Sequence, residues 1–194
     1  MPLSPPITVA TQLALVLGVA LCASAARAAP VKVQCLKAVT FSFDDAQFSP
    51  PDKPLPPDGP CDLALHGTPD GNWSLVVFSA QIGPKDLAKT RKLKPEQRLQ
   101  KMADMLAKGN SAAPVQDVEP VGPFFMAFSA APGPSGQLAL SHIATTWVGD
   151  SMIFVVLSHQ AGRNPNGPAF DRASARNRLL SMLAGFQIAA MPRK

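Results

Sequence analysis

The sequence predicts an α+β domain: an antiparallel β-sheet flanked by two main α-helices in a sandwich, with a disulfide-clipped, proline-rich N-terminal loop. Gln137 to Gly162 holds two apolar, β-branched runs on either side of Val148-Gly149-Asp150-Ser151, the pattern of a β-hairpin. In the second run, Met152-Ile153-Phe154-Val155-Val156-Leu157 does not alternate. A strand that is apolar on both sides belongs in the middle of a sheet covered on both faces. Two amphipathic stretches, near 95–108 and 168–186, supply helices for that cover.

Composition agrees with a folded domain. Hydrophobic residues make up 46% of the 194 and charged residues 16%, which excludes a disordered chain. Residues 1–28 read as a signal peptide and 29–194 as a single α+β domain. Leu13 to Ala23 is apolar or small but shorter than the roughly 20 residues that cross a bilayer. It is followed by Ala23-Ser24-Ala25 and Ala26-Arg27-Ala28, both of the small-x-small kind that a signal peptidase accepts. The leader departs from pattern in lacking Lys or Arg in its first 12 residues. Cys22 follows Leu21, which is bulky for the position before a lipidated cysteine. A periplasmic or secreted location is the expectation, with no transmembrane span in the mature chain.

Beyond the leader only Cys35 and Cys61 remain, 26 positions apart. In an oxidising compartment an isolated pair reads as a disulfide, with two buried free thiols as the alternative. The spacing is not C-x-x-C, and neither a metal nor a cofactor is expected.

Taken in order, Val31-Lys32-Val33-Gln34-Cys35 alternates and predicts a strand with Val31, Val33 and Cys35 inward. Phe41 to Phe43 predicts a weaker one. Ser49 to Pro60 carries six prolines and predicts a stiff, extended loop. Cys61–Leu65 and Trp73–Ile82 then flank a Thr68-Pro69-Asp70-Gly71 turn. Trp73, Leu75 and Val77 share one predicted face, and Val76, Phe78 and Ala80 the other. Pro95 to Lys108 predicts a helix opened by its proline, with Leu99, Met102, Ala103 and Leu106 as its apolar stripe. Strands near Val115–Val121 and Phe124–Phe128 precede the hairpin. A break at Arg163–Pro168 leads to a helix from about Pro168 to Phe186, with Leu179, Leu180, Met182, Leu183 and Phe186 on one side.

The ending, GQLALSHIATTWVGDSMIFVVLSHQAG followed by a helix closing in LLSMLAGFQI, resembles the PsbP/Mog1-like sandwich group. The resemblance covers about the last 120 residues and rests on a tail of turn, apolar strand and helix ending in small-x-Phe. It implies an antiparallel sheet between helices, in proteins that mostly bind or assist other components rather than catalyse. It carries over no functional residues.

Two constellations are candidate sites. Lys85 to Lys108 holds eight Lys or Arg against three Asp or Glu, a net +5 equal to that of the whole chain. Lys85, Lys89, Arg91, Lys92, Lys94, Arg98 and Lys101 are the candidate basic docking face, suited to an acidic protein or an anionic envelope component. The competing reading is a solvated helix face. The absence of interleaved aromatics argues against nucleic acid.

The second constellation is Arg163, Arg172, Arg176, His142 and His159, a candidate anion or small-ligand site. Arg172 and Arg176 fall on the apolar side of the last helix, where an arginine pairs with a carboxylate, snorkels past the sheet edge or lines an anion site. A two-residue turn at Asp150-Ser151 sets His142 opposite His159. A turn at Gly149-Asp150 sets it opposite Leu157 and removes a histidine pair.

There is no G-x-S-x-G, H-E-x-x-H, P-loop or G-x-G-x-x-G. The sequence reading is therefore an exported, non-catalytic accessory or binding protein, expected to be a monomer. A small-ligand or anion carrier and a hydrolase without a recognisable motif are the alternatives.

Overall fold

The computed structural model describes residues 31–43, 48, 56–66, 73–107, 112–132, 138–160 and 170–189. The leader, most of the proline loop, the turn at 68–71 and Arg163 lie outside the described residues. The strands are β1 (Val31–Cys35), β2 (Val39–Phe43), β3 (Asp62–His66), β4 (Trp73–Gln81), β5 (Gln116–Val121), β6 (Phe124–Pro132), β7 (Leu138–Val148), β8 (Ser151–Gln160) and β9 (Gln187–Ile188). The helices are α1 (Pro84–Arg91), α2 (Pro95–Leu106) and α3 (Arg172–Ala184). Six strands form one antiparallel sheet in the order β3-β4-β8-β7-β6-β5, and β1-β2-β9 form a second.

β8 sits third in the large sheet, paired along its length with β4 and β7. Met152 to Leu157 are all buried, three side chains to each face. On one face Met152, Phe154 and Val156 join Ile143 and Ala127 beneath Leu99, Met102, Ala103 and Ala107 of the α2 segment. On the other, Ile153, Val155 and Leu157 join Leu63, Leu65, Leu75 and Val77 beneath Leu179, Met182 and Leu183 of α3 and the apolar side of the small sheet. The predicted split of β4 into two faces is the one observed.

The architecture also contains features the sequence reading lacked. α1 forms where no element was predicted, and the N-terminal hairpin forms its own sheet, extended by β9 after α3. Phe41 stacks on Phe186 at 4.6 Å, joining the two ends of the described chain. Gly185 makes this join possible, since a Cβ there would stand 2.9 Å from the Ser42 carbonyl oxygen. α3 begins at Arg172 rather than near Pro168. Asp171 is its N-cap, accepting from the amides of Ala173 at 3.3 Å and Ser174 at 3.0 Å.

The hairpin register follows from one backbone angle. Gly149 has φ of 58° while Asp150 is not in the left-handed region, so the two-residue loop is Gly149-Asp150 with glycine at its first position. Val148 therefore faces Ser151, and His142 faces Leu157. The register at Asp150-Ser151 that would oppose His142 and His159 does not form.

Cys35 and Cys61 are disulfide-bonded, with Cα atoms 5.2 Å apart and both side chains fully buried. The clip is reinforced by the amides of Leu36 and Lys37, which donate to the carbonyls of Gly59 at 2.8 Å and Pro57 at 3.0 Å. Both residues have positive φ, 52° and 57°, a strained conformation held by the surrounding bonds. Chain entropy puts closing this 26-residue loop at roughly 3.5 kcal/mol. The Cys35→Ser, Cys61→Ser double variant is expected to lose about that much in denaturant unfolding; a loss below about 1 kcal/mol contradicts this assignment.

Candidate functional site

The basic segment folds as two short helices, α1 beside the β7–β8 turn and α2 on one face of the large sheet. Pro84 opens α1, Asp86 lies in its first turn, and Lys89 and Arg91 lie in its last, each matching the helix dipole. α1 buries no side chain. A clip holds it instead: Arg91 Nη2 donates to the Gly149 carbonyl at 2.9 Å and to Asp150 Oδ1 at 3.1 Å. The Arg91 guanidinium also lies 5.5 Å from the Trp147 ring centroid. α2 starts at Pro95, where Gln97 Oε1 accepts from the Lys94 amide at 2.9 Å.

Lys85, Lys89, Arg91, Lys92, Lys94 and Lys101 are exposed. Of these, only Arg91 makes an ion pair with another described residue. Arg98 is different. It is half-buried, its Nε is out of contact with solvent, and its guanidinium lies 5.8 Å from the Phe125 ring centroid. Beside the face, Ala80, Ile82, Met102, Met105, Met152 and Phe154 line a cavity of about 190 Å³, with Arg98 and Lys101 also contributing to its lining. Met105 is 64% exposed there, an apolar side chain among cations.

Two arginines of α3, Arg172 and Arg176, are neutralised internally. Arg176 Nε and Nη2 hold Glu119 Oε1 and Oε2 at 2.7 and 2.8 Å. Arg172 pairs with Asp117, donates to Gln116 Oε1 at 3.2 Å, and lies 3.9 Å from the Phe128 ring centroid. A β-bulge directs these acceptors at α3. The register between β5 and β6 shifts between Gln116 and Glu119, and Asp117 takes φ of 52°. The arginine hydrogen bonds hold the Glu119 carboxyl below the usual carboxylate range.

A crevice of about 270 Å³ does exist at this place, lined by Asp117, Glu119, Phe128, His142, Arg172 and Arg176 among others. With two carboxylates against two guanidiniums its wall is electroneutral. The sequence signal for Arg172 and Arg176 was their place on the apolar side of the helix. Their partners depend on the bulge, which no local pattern announces.

His142 and His159 share the α3-facing side of the sheet but are not paired across strands. His142 Nε2 lies 3.2 Å from the Arg172 carbonyl, which can only accept, so Nε2 carries a proton and donates. Burial lowers the His142 pKa, against the opposing hydrogen bond to that carbonyl. His159 packs in a T-shape on Trp73 at 4.8 Å and against Phe170 at 5.5 Å. Phe170 also meets Phe128, so both imidazoles sit in one aromatic cluster. Phe170 was missing from the sequence reading; its position just before the Asp171 cap was the available signal.

Ser141 and Ser158 oppose each other, their hydroxyl oxygens 2.8 Å apart, on the face away from the two histidines. No group of three His, Cys, Asp or Glu side chains among the described residues is placed to hold a metal ion. None of the described helices is long and apolar enough to cross a membrane.

No family model matches the chain, and no curated protein matches it in sequence. Among solved structures it is similar to the solution structure of cyanobacterial PsbP (CyanoP) from Synechocystis sp. PCC 6803, with a TM-score of 0.53. The match covers 86% of this chain and 96% of that one at 12% identity. The fold is PsbP-like. Identity at this level speaks for the architecture alone: the PsbP-like sandwich positions the basic helices on one side of the sheet and the closed arginine crevice on the other.

Stability should report on this crevice. A buried histidine with a lowered pKa contributes stability above the unfolded value near 6.5, and that contribution is lost as pH falls below it. Glu119 adds a second loss below its ordinary 4.5. Unfolding free energy is expected to fall between about pH 7 and pH 5, and His142→Gln to flatten that slope. A slope unchanged by the substitution contradicts the assignment.

Proposed function

We propose that this chain is an exported, non-catalytic accessory protein that docks on an acidic protein or anionic envelope component through the α1–α2 face. The observation that carries the reading is that face: six exposed cations, five of them without an ion-pair partner among the described residues. A short helix that buries nothing contributes little to the core, so its charge is directed at solvent or at a partner. The cavity beside Met105 suits a partner that offers an apolar side chain among acids. The disulfide supports an oxidising compartment and hence export. The PsbP-like fold accords with a binding or assisting role.

The carrier reading is weaker, because Arg172 and Arg176 are already matched by Asp117 and Glu119. A hydrolase reading finds its serines bonded to each other and the His142 ring bonded to a main-chain carbonyl.

Contacts made by exposed charges weaken steeply with salt. Binding to phosphatidylglycerol vesicles or to polyglutamate is expected at low ionic strength. It should fall at least about tenfold when Lys89, Arg91, Lys92 and Lys94 are all replaced by Gln. Failure to bind either probe, or equal binding by the variant, overturns the reading.

A further inference from the structure

Arg98 belongs to a second arrangement that the docking face does not use. Its Nε is buried and makes no hydrogen bond among the described residues. Thr145, directly opposite Phe125 in the sheet, is 2% exposed, and its Oγ1 is likewise buried and unpartnered. Both side chains line one cavity of about 300 Å³, whose other walls are Pro123, Phe125, Thr146 and Trp147. Thr146 Oγ1 already donates to the Pro123 carbonyl at 2.6 Å, so the hydroxyl left over is that of Thr145.

A buried donor left without an acceptor is costly, and both of these line the same cavity. The same molecule shows what such a guanidinium edge accepts. Arg176 presents its Nε edge to Glu119 and holds both carboxylate oxygens at 2.7 and 2.8 Å. Arg98 has lost solvent without gaining that acceptor: burial lowers its pKa below the ordinary arginine value, and Glu96 offsets this only in part.

We propose that this cavity binds a small apolar monocarboxylate, which accepts from Arg98 Nε–H and the Thr145 hydroxyl and lays its apolar body against Phe125 and Trp147. One guanidinium balances one negative charge. A phosphate dianion would leave a charge uncompensated beside walls of Pro, Phe and Trp. A volume of about 300 Å³ is at the lower end for ligand pockets and suits an acid built on a single ring.

Benzoate is the probe, titrated into the disulfide-intact chain and followed by calorimetry, with inorganic phosphate at matched ionic strength as the comparison. Saturable benzoate binding is expected, with none for phosphate. Thr145→Val keeps the shape and removes the hydroxyl, and should weaken benzoate about tenfold. Arg98→Met keeps the stem and removes the charge, and should abolish binding; if it does not fold, Thr145→Val decides. The Lys89→Gln, Lys92→Gln double variant should bind benzoate as wild type does, which separates this site from the docking face. No saturable benzoate binding, wild-type affinity in folded Thr145→Val or Arg98→Met, or equal binding of phosphate each overturns the proposal.

Discussion

The two-sided burial of β8 is the constraint on which the rest of the structure depends. Six consecutive apolar side chains point alternately to opposite faces, and each is worth about 1.5–3 kcal/mol only if both faces are dry. One layer cannot meet that demand. α2 covers one face, and α3 with the small sheet covers the other. The small sheet in turn needs a route back from α3, which Gly185, Phe186 and the two residues of β9 provide. The disulfide fixes the other end of this layer by tying β1 to the segment that enters β3.

Charge is sorted by the same layering. On the α3 side, two guanidiniums meet carboxylates brought to them by a bulge, and both histidines are packed among aromatic rings. On the α1–α2 side most cations have no ion-pair partner among the described residues, and one half-buried arginine has none there for its Nε. The first arrangement closes a site and the second leaves its charge available. Exposed charge and buried unmatched donors favour different ligands, so the two features on the α2 side are separate in chemistry although neighbours in space.

The strands were legible because their signals are local: alternation in β1, its absence in β8, and turn residues ahead of β4 and β8. α2 and α3 were legible from their apolar stripes. α1 was not, because a run of lysines with no buried position has no periodicity to read. β9 was too short and looked like the end of a helix. The hairpin register was legible in principle, since glycine belongs where φ is positive, and Gly149 is that residue. The pairing of Arg176 with Glu119, and the shared cavity of Arg98, Thr145 and Trp147, join residues remote in sequence through packing. No spacing within the chain encodes them.

Native-state hydrogen exchange along β8 is the most direct test of this account. The amides from Ile153 to Leu157 should exchange only through global unfolding, with an opening free energy equal to that from denaturant, while those of the edge strand β5 exchange sooner. Exchange of the β8 amides as fast as those of β5 would show that β8 is not the centre around which the layers are assembled.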